Sequence, residues 1–260
     1  MNVLVFDIET IPDTAIGRKL YDLDGLSDKE VAEVMFTQRR QETDGNSDFL
    51  RLHLHQVVAI SVVLSTRDQL NVWSLGSVDS SEIDIIERFF EGIEKYTPRL
   101  VSWNGRGFDL PVLHYRALLH GIQAQRYWET GNDDQSFRWN NYLSRFHERH
   151  TDLMDVIAGY DSRAFAPLDQ VAIMLGLPGK MGMSGDKVWD TYLAGDIDSI
   201  RNYCETDVLN TYLVYLRFEL MRGNLTQAVY QDECDRLAGF LQDDDRPHLT
   251  AFLTEWRDRN

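Results

Sequence analysis

Cysteine is scarce in this chain: only Cys204 and Cys234 occur in 260 residues. Two thiols far apart in sequence supply neither a disulfide framework nor a CxxC ligand pair, which argues against a disulfide-stapled scaffold and against a structural zinc site. That usage suits a reducing compartment, and a cytoplasmic location is expected. Long apolar runs are missing too. Met1 leads directly into a short strand pattern, with no basic leader and no small-residue cleavage site, so the chain reads as soluble, unexported and without a membrane partner. Basic charge is the third deficit: 26 Lys and Arg stand against 42 Asp and Glu, a formal net charge of −16. Proteins that bind phosphate-coated partners usually carry a basic stripe that releases counterions, so this balance argues at face value against nucleic acid. Part of the acid excess lies in "QDDDR" and its C-terminal neighbours, which read as solvated surface. Internal repeats and low-complexity tracts are absent as well.

What is present is enough apolar residue, 43% of the total, to bury a proper core. At roughly 100–200 residues per domain, this length predicts one large domain or two small ones, and one is preferred. "NVLVFDIETIPD" opens as an apolar strand. "QVVAISVVLS" (56–65) and "QLNVWSLG" (69–76) alternate as strands around an Arg67-Asp68 turn, which predicts an antiparallel hairpin. "SSEIDIIERFFEGIEKY" has helical periodicity, with Ser80 or Ser81 as N-cap, and Pro98 stops it before the strand "RLVSWN". A helix is predicted from Phe108 to His120, a short edge strand in "TDLMDVIAGY", and almost continuous helix from Pro167 onward. Strands first and helices last predict an α/β fold with a mixed sheet flanked by helices. Residues 13–55 and 124–148 read as insertions.

Within this frame the acids form three groups. Residues i and i+2 of a strand share a face, so Asp7 and Glu9 would project together from the end of the first strand. Two carboxylates so close resist joint ionisation unless a cation sits between them, and a hard, oxygen-seeking ion such as magnesium or manganese is the natural one. D-x-E alone arises about once by chance in a chain of this size; "DKE" (28–30) is another instance, read as surface. In "WNGRGFDLPVL" (103–113), Gly105 and Gly107 permit a tight turn, Asn104 is a turn or cap residue, and Asp109 falls in the first turn of the next helix. In "NYCETDVLNTYLVYL", Tyr203 and Asp207 stand at i and i+4 on one helix face. "YLAGD" (192–196) has the same spacing, but Gly195 breaks its helix and Asp196 reads as the next N-cap.

Each group is weak alone; in this order and context they are specific. The chain resembles the DnaQ-like (DEDD) 3′–5′ exonucleases of the tyrosine subtype, in the stand-alone group related to the proofreading domain of family-B DNA polymerases. "FDIET", "NGRGFD" and "YCETD" resemble the three exonuclease motifs, and "HLHQVVAISVV", "HTDLMDV" and "GLPGK…SGDKV" add to the likeness. The resemblance implies a ribonuclease H-like mixed five-stranded sheet over residues 1–222. Residues 223–260 lie outside it and read as a helical C-terminal extension whose Phe240, Leu241, Leu249, Phe252, Leu253 and Trp256 complete the core of the same domain or form a dimer contact, with core packing preferred. It implies that Asp7, Glu9, Asp109 and Asp207 hold two divalent cations, Mg2+ or Mn2+, around the scissile phosphate. Asp7 would bridge, Glu9 and Asp207 would hold the nucleophile-side ion, and Asp109 the leaving-group-side ion. The Tyr203 hydroxyl would orient the attacking water, being too weak a base at neutral pH to do more. Thr10, Asn104 and Phe108 become candidate substrate contacts. The implied partner is a single-stranded nucleic acid 3′ end, with DNA favoured and an RNA-trimming exoribonuclease or oligoribonuclease as the alternative. The alternative of another class is a catalytically weak binding or interaction module of a repair complex. No polymerase portion accompanies the motifs, so a stand-alone nuclease, or a partner of something else, is expected.

Two dications would bring about four positive charges to the phosphates, which answers the charge objection for a short single-stranded end. "SFRWNNYLSRFHERH" (136–150) interleaves cations with aromatics, as single-strand binders do, and nominates Arg138, Trp139, Tyr142 and Arg145 as substrate contacts. "GLPGKMGMSG" lacks the spacing of a phosphate-cradling P-loop. "HERH" lacks the spacing of a zinc site, and His147 and His150 read as surface or packing residues. Asp152 and Asp155 read as structural.

Overall fold

The apolar opening run becomes the middle of a sheet in the computed structural model, which describes residues 2–259; Met1 and Asn260, the ends of the two expected segments, lie outside it. Strand β1 (Val3–Pro12) pairs antiparallel with β2 (His55–Ser65), and β2 pairs antiparallel with β3 (Leu70–Ser74). On its other edge β1 runs parallel to β4 (Arg99–Ser102), which runs parallel to β5 (His150–Asp152). The order is β3-β2-β1-β4-β5, the mixed five-stranded, ribonuclease H-like arrangement that the motifs imply. The predicted hairpin and edge strand are both there. The edge strand stops after three residues because the Asp152 carboxylate accepts the Asp155 N–H, at 3.4 Å, and so caps a helix.

Helices follow in chain order. The first insertion holds α1 (Thr14–Tyr21) and α2 (Asp28–Glu42), which close a small core of their own around Val31, Met35, Leu50 and Leu54. After the hairpin come α3 (Glu82–Tyr96), capped by Ser81, and α4 (Asp109–His120). Two short helices, α5 (Gln125–Trp128) and α6 (Leu153–Ile157), flank β5 in sequence. Then come α7 (Leu168–Met174), α8 (Val188–Leu193), the long α9 (Ile197–Met221), α10 (Gln227–Gln242) and α11 (Pro247–Asp258). The helical stretch expected from Pro167 onward is broken over 175–187, where Gly176, Gly179 and Gly182 take positive φ.

Strand alternation decides which side each helix covers. Leu4, Phe6 and Ile8 point to one face of β1 and pack with Phe89, Ile93 and Leu113 of α3 and α4. Val5, with Val63 and Val101, points to the other, beneath Val208 and Leu209 of α9. Leu237, Leu241, Leu249 and Phe252 of α10 and α11 belong to that same apolar cluster, so the C-terminal helices share the core of the sheet. Each such side chain contributes roughly 1.5–3 kcal/mol by leaving water. Asp7 and Glu9 continue the series of Val3 and Val5, so the alternation that seats Val5 under α9 carries both carboxylates to the α9 side.

A buried charge cluster fastens the other layer. Arg116 of α4 pairs with Asp13, which follows β1, and with Glu82 at the start of α3 through contacts of 2.5 and 2.7 Å. Glu82 also accepts the Val57 N–H at 2.6 Å and meets His120 Nε2 at 2.8 Å. Removing one member of such a buried set leaves the others as uncompensated charges. Arg116→Met is therefore expected to lower unfolding free energy by about 3–5 kcal/mol. Urea titration measures this, and a loss below about 1 kcal/mol would mean that the cluster is not holding the layer.

Candidate active site

The parallel pairing of β1 with β4 ends at Val5 and Val101, which leaves the next inward backbone groups of β1 without a ladder partner. The Ile8 N–H is satisfied by a side chain instead: Asp109 Oδ1 accepts it at 3.1 Å. That one bond places the carboxylate of the second motif against the backbone between Asp7 and Glu9. The third segment arrives from α9, whose Cys204 Sγ lies 3.4 Å from the Asp7 carbonyl oxygen and 3.7 Å from Asp7 Oδ2. Asp7, Glu9 and Cys204 can each offer a ligand atom within 4.8 Å of the others.

The turn that carries Asp109 is held in an unexpected way. The left-handed backbone belongs to Asn104, φ 63°, and not to the glycines. Gly105 is needed for close approach, since a Cβ there would run into the Ser102 side chain, whereas at Gly107 a Cβ would meet only the end of the Asn104 side chain. Asp152 fixes the same turn from β5, its two oxygens accepting the N–H groups of Asn104 and Arg106, each at 2.9 Å. Asn104 thus shapes the turn with its backbone.

Electrostatics bear out the crowding. Burial, then the charges of Asp109, Glu9 and Asp207, push the Asp7 carboxyl well above the usual carboxylate range. Glu9 is raised likewise by burial, Asp207 and Asp109, with Lys180 opposing. Burial lifts Asp109 to about 7 and Asp207 to about 6, the latter eased by Tyr203 and Lys180. The Tyr203 phenol is raised by burial and by the Asp207, Glu9 and Asp7 charges, so it stays protonated. Burial raises the Cys204 thiol as well.

Of the nominated substrate contacts, those inside the motifs lie beside the acids. Thr10 Oγ1 is 2.9 Å from His55 Nδ1, and the Phe108 ring stands 5.3 Å from His55 and 5.7 Å from Phe49. The aromatic-basic segment requires correction. Tyr142 is fully buried, its hydroxyl donating to Pro98 O at 2.7 Å and its ring stacked on Tyr127, so it is core and cannot meet a substrate. Arg145 is engaged by both oxygens of Asp155, at 2.8 and 2.9 Å. Arg138 and Trp139 lie on the exposed surface, the guanidinium over the indole. Within this segment Phe137 and Tyr142 are core, whereas Trp139 and Phe146 stay exposed.

Sequence reasoning misses Cys204, which it weighs only as a disulfide or zinc candidate, although positions 200, 204 and 208 mark the core stripe of α9 and so face β1. Lys180 lies in "GLPGKMGMSG", which that reading weighs as a phosphate-cradling loop. Gly179, at φ 68° and with its Cβ position 2.6 Å from Asp169 Oδ1, turns the backbone so that Lys180 acts on Glu9 and Asp207. Asn210 of α9 clasps that turn through the N–H and C=O of Gly179, at 3.2 and 3.0 Å. Glu205 escapes it too. Buried on α9, this carboxylate receives Ser74 N and Oγ, each at 2.8 Å, Arg246 Nη1 at 2.7 Å and His248 Nε2 at 2.8 Å. It thereby anchors the helix of Tyr203 and Asp207 to β3 and to the C-terminal helices.

The sequence profile of a family described as "Predicted 3'-5' exonuclease related to the exonuclease domain of PolB" matches residues 47–256. The catalytic subunit of DNA polymerase epsilon from Aspergillus fumigatus is 26% identical over 145 residues, which cover 54% of this chain and 6% of the relative. Its counterpart from Saccharomyces cerevisiae is 21% identical over 230 residues, 83% of this chain and 9% of the relative. The chain thus spans less than a tenth of the length of these curated relatives. Among solved structures, the family B DNA polymerase of Pyrobaculum calidifontis aligns with a TM-score of 0.48 and 20% identity, over 85% of this chain and 24% of that one. No described helix is long and apolar enough to cross a membrane.

The raised carboxyls make the fold pH-sensitive. With Asp207 at about 6 and Asp109 at about 7, against 3.8 for a free Asp, the folded chain binds more protons than the unfolded chain from about pH 4 to 7. The contribution of the cluster to stability therefore falls as pH rises through that window. In chelator, Tm is expected to drop between pH 5 and 8 by several degrees more than in Asp207→Asn, and manganese is expected to raise Tm more at pH 8 than at pH 5. Equal pH slopes for the two proteins would contradict the clustering.

Proposed function

The chain belongs to the family of predicted 3′–5′ exonucleases related to the exonuclease domain of PolB, and from that premise we propose that it hydrolyses phosphodiester bonds at the 3′ end of single-stranded nucleic acid, DNA in preference to RNA. The observation that carries this reading is the meeting of acids from three distant segments, fixed by the Asp109–Ile8 bond and the Cys204–Asp7 contact. Buried carboxylates that raise one another's pKa form a hard oxygen donor set, which fits magnesium or manganese. Asp7, Glu9, Asp109 and Asp207 would hold two such ions, which when bound lower the pKa of water and neutralise charge on a phosphate undergoing in-line displacement.

The remaining work falls to the chain's own side chains. Tyr203, kept protonated and hydrogen-bonded to Asp207, accepts a hydrogen bond from the attacking water through its hydroxyl oxygen and so orients it toward phosphorus; it is not the base. As the new P–O bond forms the water gives up a proton to solvent, the bond from phosphorus to the 3′ oxygen of the preceding nucleotide breaks, and that oxygen takes a proton from solvent, releasing a nucleoside 5′-monophosphate and leaving a 3′ hydroxyl. Lys180 places a positive charge next to Glu9 and Asp207, on the path of the phosphates. Phe108, with Phe49 at 54% exposure, forms an aromatic rim beside Thr10 and Asp109 on which a terminal base can stack.

Digestion of 5′- and 3′-labelled single-stranded DNA tests this directly. With manganese, the 5′-labelled oligomer should shorten stepwise from its far end, the 3′ label should appear at once as mononucleotide, and chelator should stop both. Asp207→Asn should abolish release, and Tyr203→Phe should slow it on the order of 10²-fold. Unchanged release by Asp207→Asn would end the assignment, and stronger cleavage of a matched RNA would overturn the DNA preference.

A further inference from the structure

Beside Tyr203, and lined by none of the rim aromatics, a cleft of about 460 Å3 opens between the 181–187 loop, the first half of α9 and the start of α11. Resting on the exonuclease reading, we propose that this cleft is a second substrate subsite, which seats one nucleoside of the single strand adjoining the scissile phosphate.

Position supplies the first reason. Tyr203 lines the cleft and also acts on Asp207, so a strand whose reacting phosphate lies at the acids reaches the cleft by passing that one ring. Size supplies the second: the volume lies within the roughly 300–1,000 Å3 of small-ligand sites and leaves no room for a duplex.

Chemistry supplies the third. Half-buried Met181 and Met183 present polarisable thioethers that conform to a flat base, whichever base it is. Asn202 adds a carboxamide, two donors and an acceptor, that makes no hydrogen bond to another described side chain and can meet base edges. Lys187 stands exposed at the edge of the cleft; it feels the charge of neighbouring Asp186, but its ammonium joins no salt bridge among the described residues, so it can turn to a backbone phosphate. The acid in the lining is engaged elsewhere. Asp196 is turned to the helix, accepting Ser199 N at 3.1 Å and Ser199 Oγ at 2.7 Å as the cap of α9. His248 is likewise committed, through Nε2, to Glu205. Among the described residues the cleft thus offers apolar surface, an amide without a side-chain partner and a cation without a salt bridge, which is the combination that single-strand binders use for base and backbone.

Ala251, exposed on α11 and lining the cleft, lets the space be filled without touching the acids. Ala251→Trp and Lys187→Gln are compared with the unaltered protein in manganese-dependent digestion of a single-stranded DNA oligomer, and in fluorescence anisotropy with the same oligomer in calcium. Thermal melts confirm that each variant is folded. Ala251→Trp should raise KM and the dissociation constant about tenfold, with kcat within about twofold. Lys187→Gln should weaken binding and lower the salt slope of log affinity by about one. Unchanged KM and affinity in both folded variants would overturn the subsite while leaving the exonuclease reading intact. No digestion by the unaltered protein would instead remove the reading on which the subsite rests.

Discussion

Like charge brought together out of water is the constraint around which this molecule is organised. Asp7, Glu9, Asp109 and Asp207 each sit where burial alone disfavours ionisation, and the neighbouring acids deepen the effect for Asp7 and Glu9. No local rule favours that arrangement. A strand of Val, Leu and Phe would be more stable if it ended in two more apolar residues. The surroundings must therefore hold the four groups against their mutual repulsion. The Ile8 N–H on Asp109, the clasp of Asn210 on the Lys180 turn and the anchoring of α9 through Glu205 are the structural answers.

Those answers are distributed unevenly through the chain. Asp109 is positioned from below by Asp152, a residue of the shortest strand, whose two oxygens define the turn before α4. The α9 groups are positioned from the far end of the sequence. Arg246 and His248, at the start of α11, reach the one acid of "YCETD" that faces away from the site, and Arg246 also caps the Val72 carbonyl of β3. The C-terminal helices therefore complete the core and also fix the rotation of the helix that carries Tyr203 and Asp207. Glu205 shows the contrast plainly. Two residues from Asp207 on the same helix, its carboxyl is lowered despite burial, because His248, Ser74 and Arg246 meet it, whereas burial prevails at Asp207.

Most of the sheet and the acids could be read in the sequence, because both rest on short-range periodicity. The apolar run Val3–Phe6 and the alternation over 56–65 name the strands, Ser81 and Pro98 bracket α3, and i, i+2 and i, i+4 spacings pair Asp7 with Glu9 and Tyr203 with Asp207. What was not legible depends on long-range packing. Nothing in "SFRWNNYLSRFHERH" announces that Tyr142 will donate to Pro98, or that Asp155 will engage Arg145. A basic-aromatic pattern is the same whether its side chains fold inward or face a ligand. Cys204 is misjudged for another reason: thiols are counted as pairs, while its meaning lies in helical phase with Ile200 and Val208. Asn104 in place of a glycine at positive φ follows from its Asp152-held N–H, which no spacing reveals.

The acidic balance of the chain also acquires a physical sense. Its arginines are largely absorbed by its own acids: Arg99 by Glu148 and Glu219, Arg116 by Asp13 and Glu82, Arg145 by Asp155, Arg246 by Glu205 and Asp244. A net charge of −16 spread over the surface gives a phosphate chain no general reason to approach. Lys180 beside the carboxylates and Lys187 at the edge of the neighbouring cleft are cations without such partners among the described residues. On the proposed reading, a polyanion would be repelled from most of the surface and drawn in only where those lysines and bound dications offset the acid cluster. That would suit a short flexible end, which can enter a narrow path, better than a long duplex, which would have to lie across acidic surface.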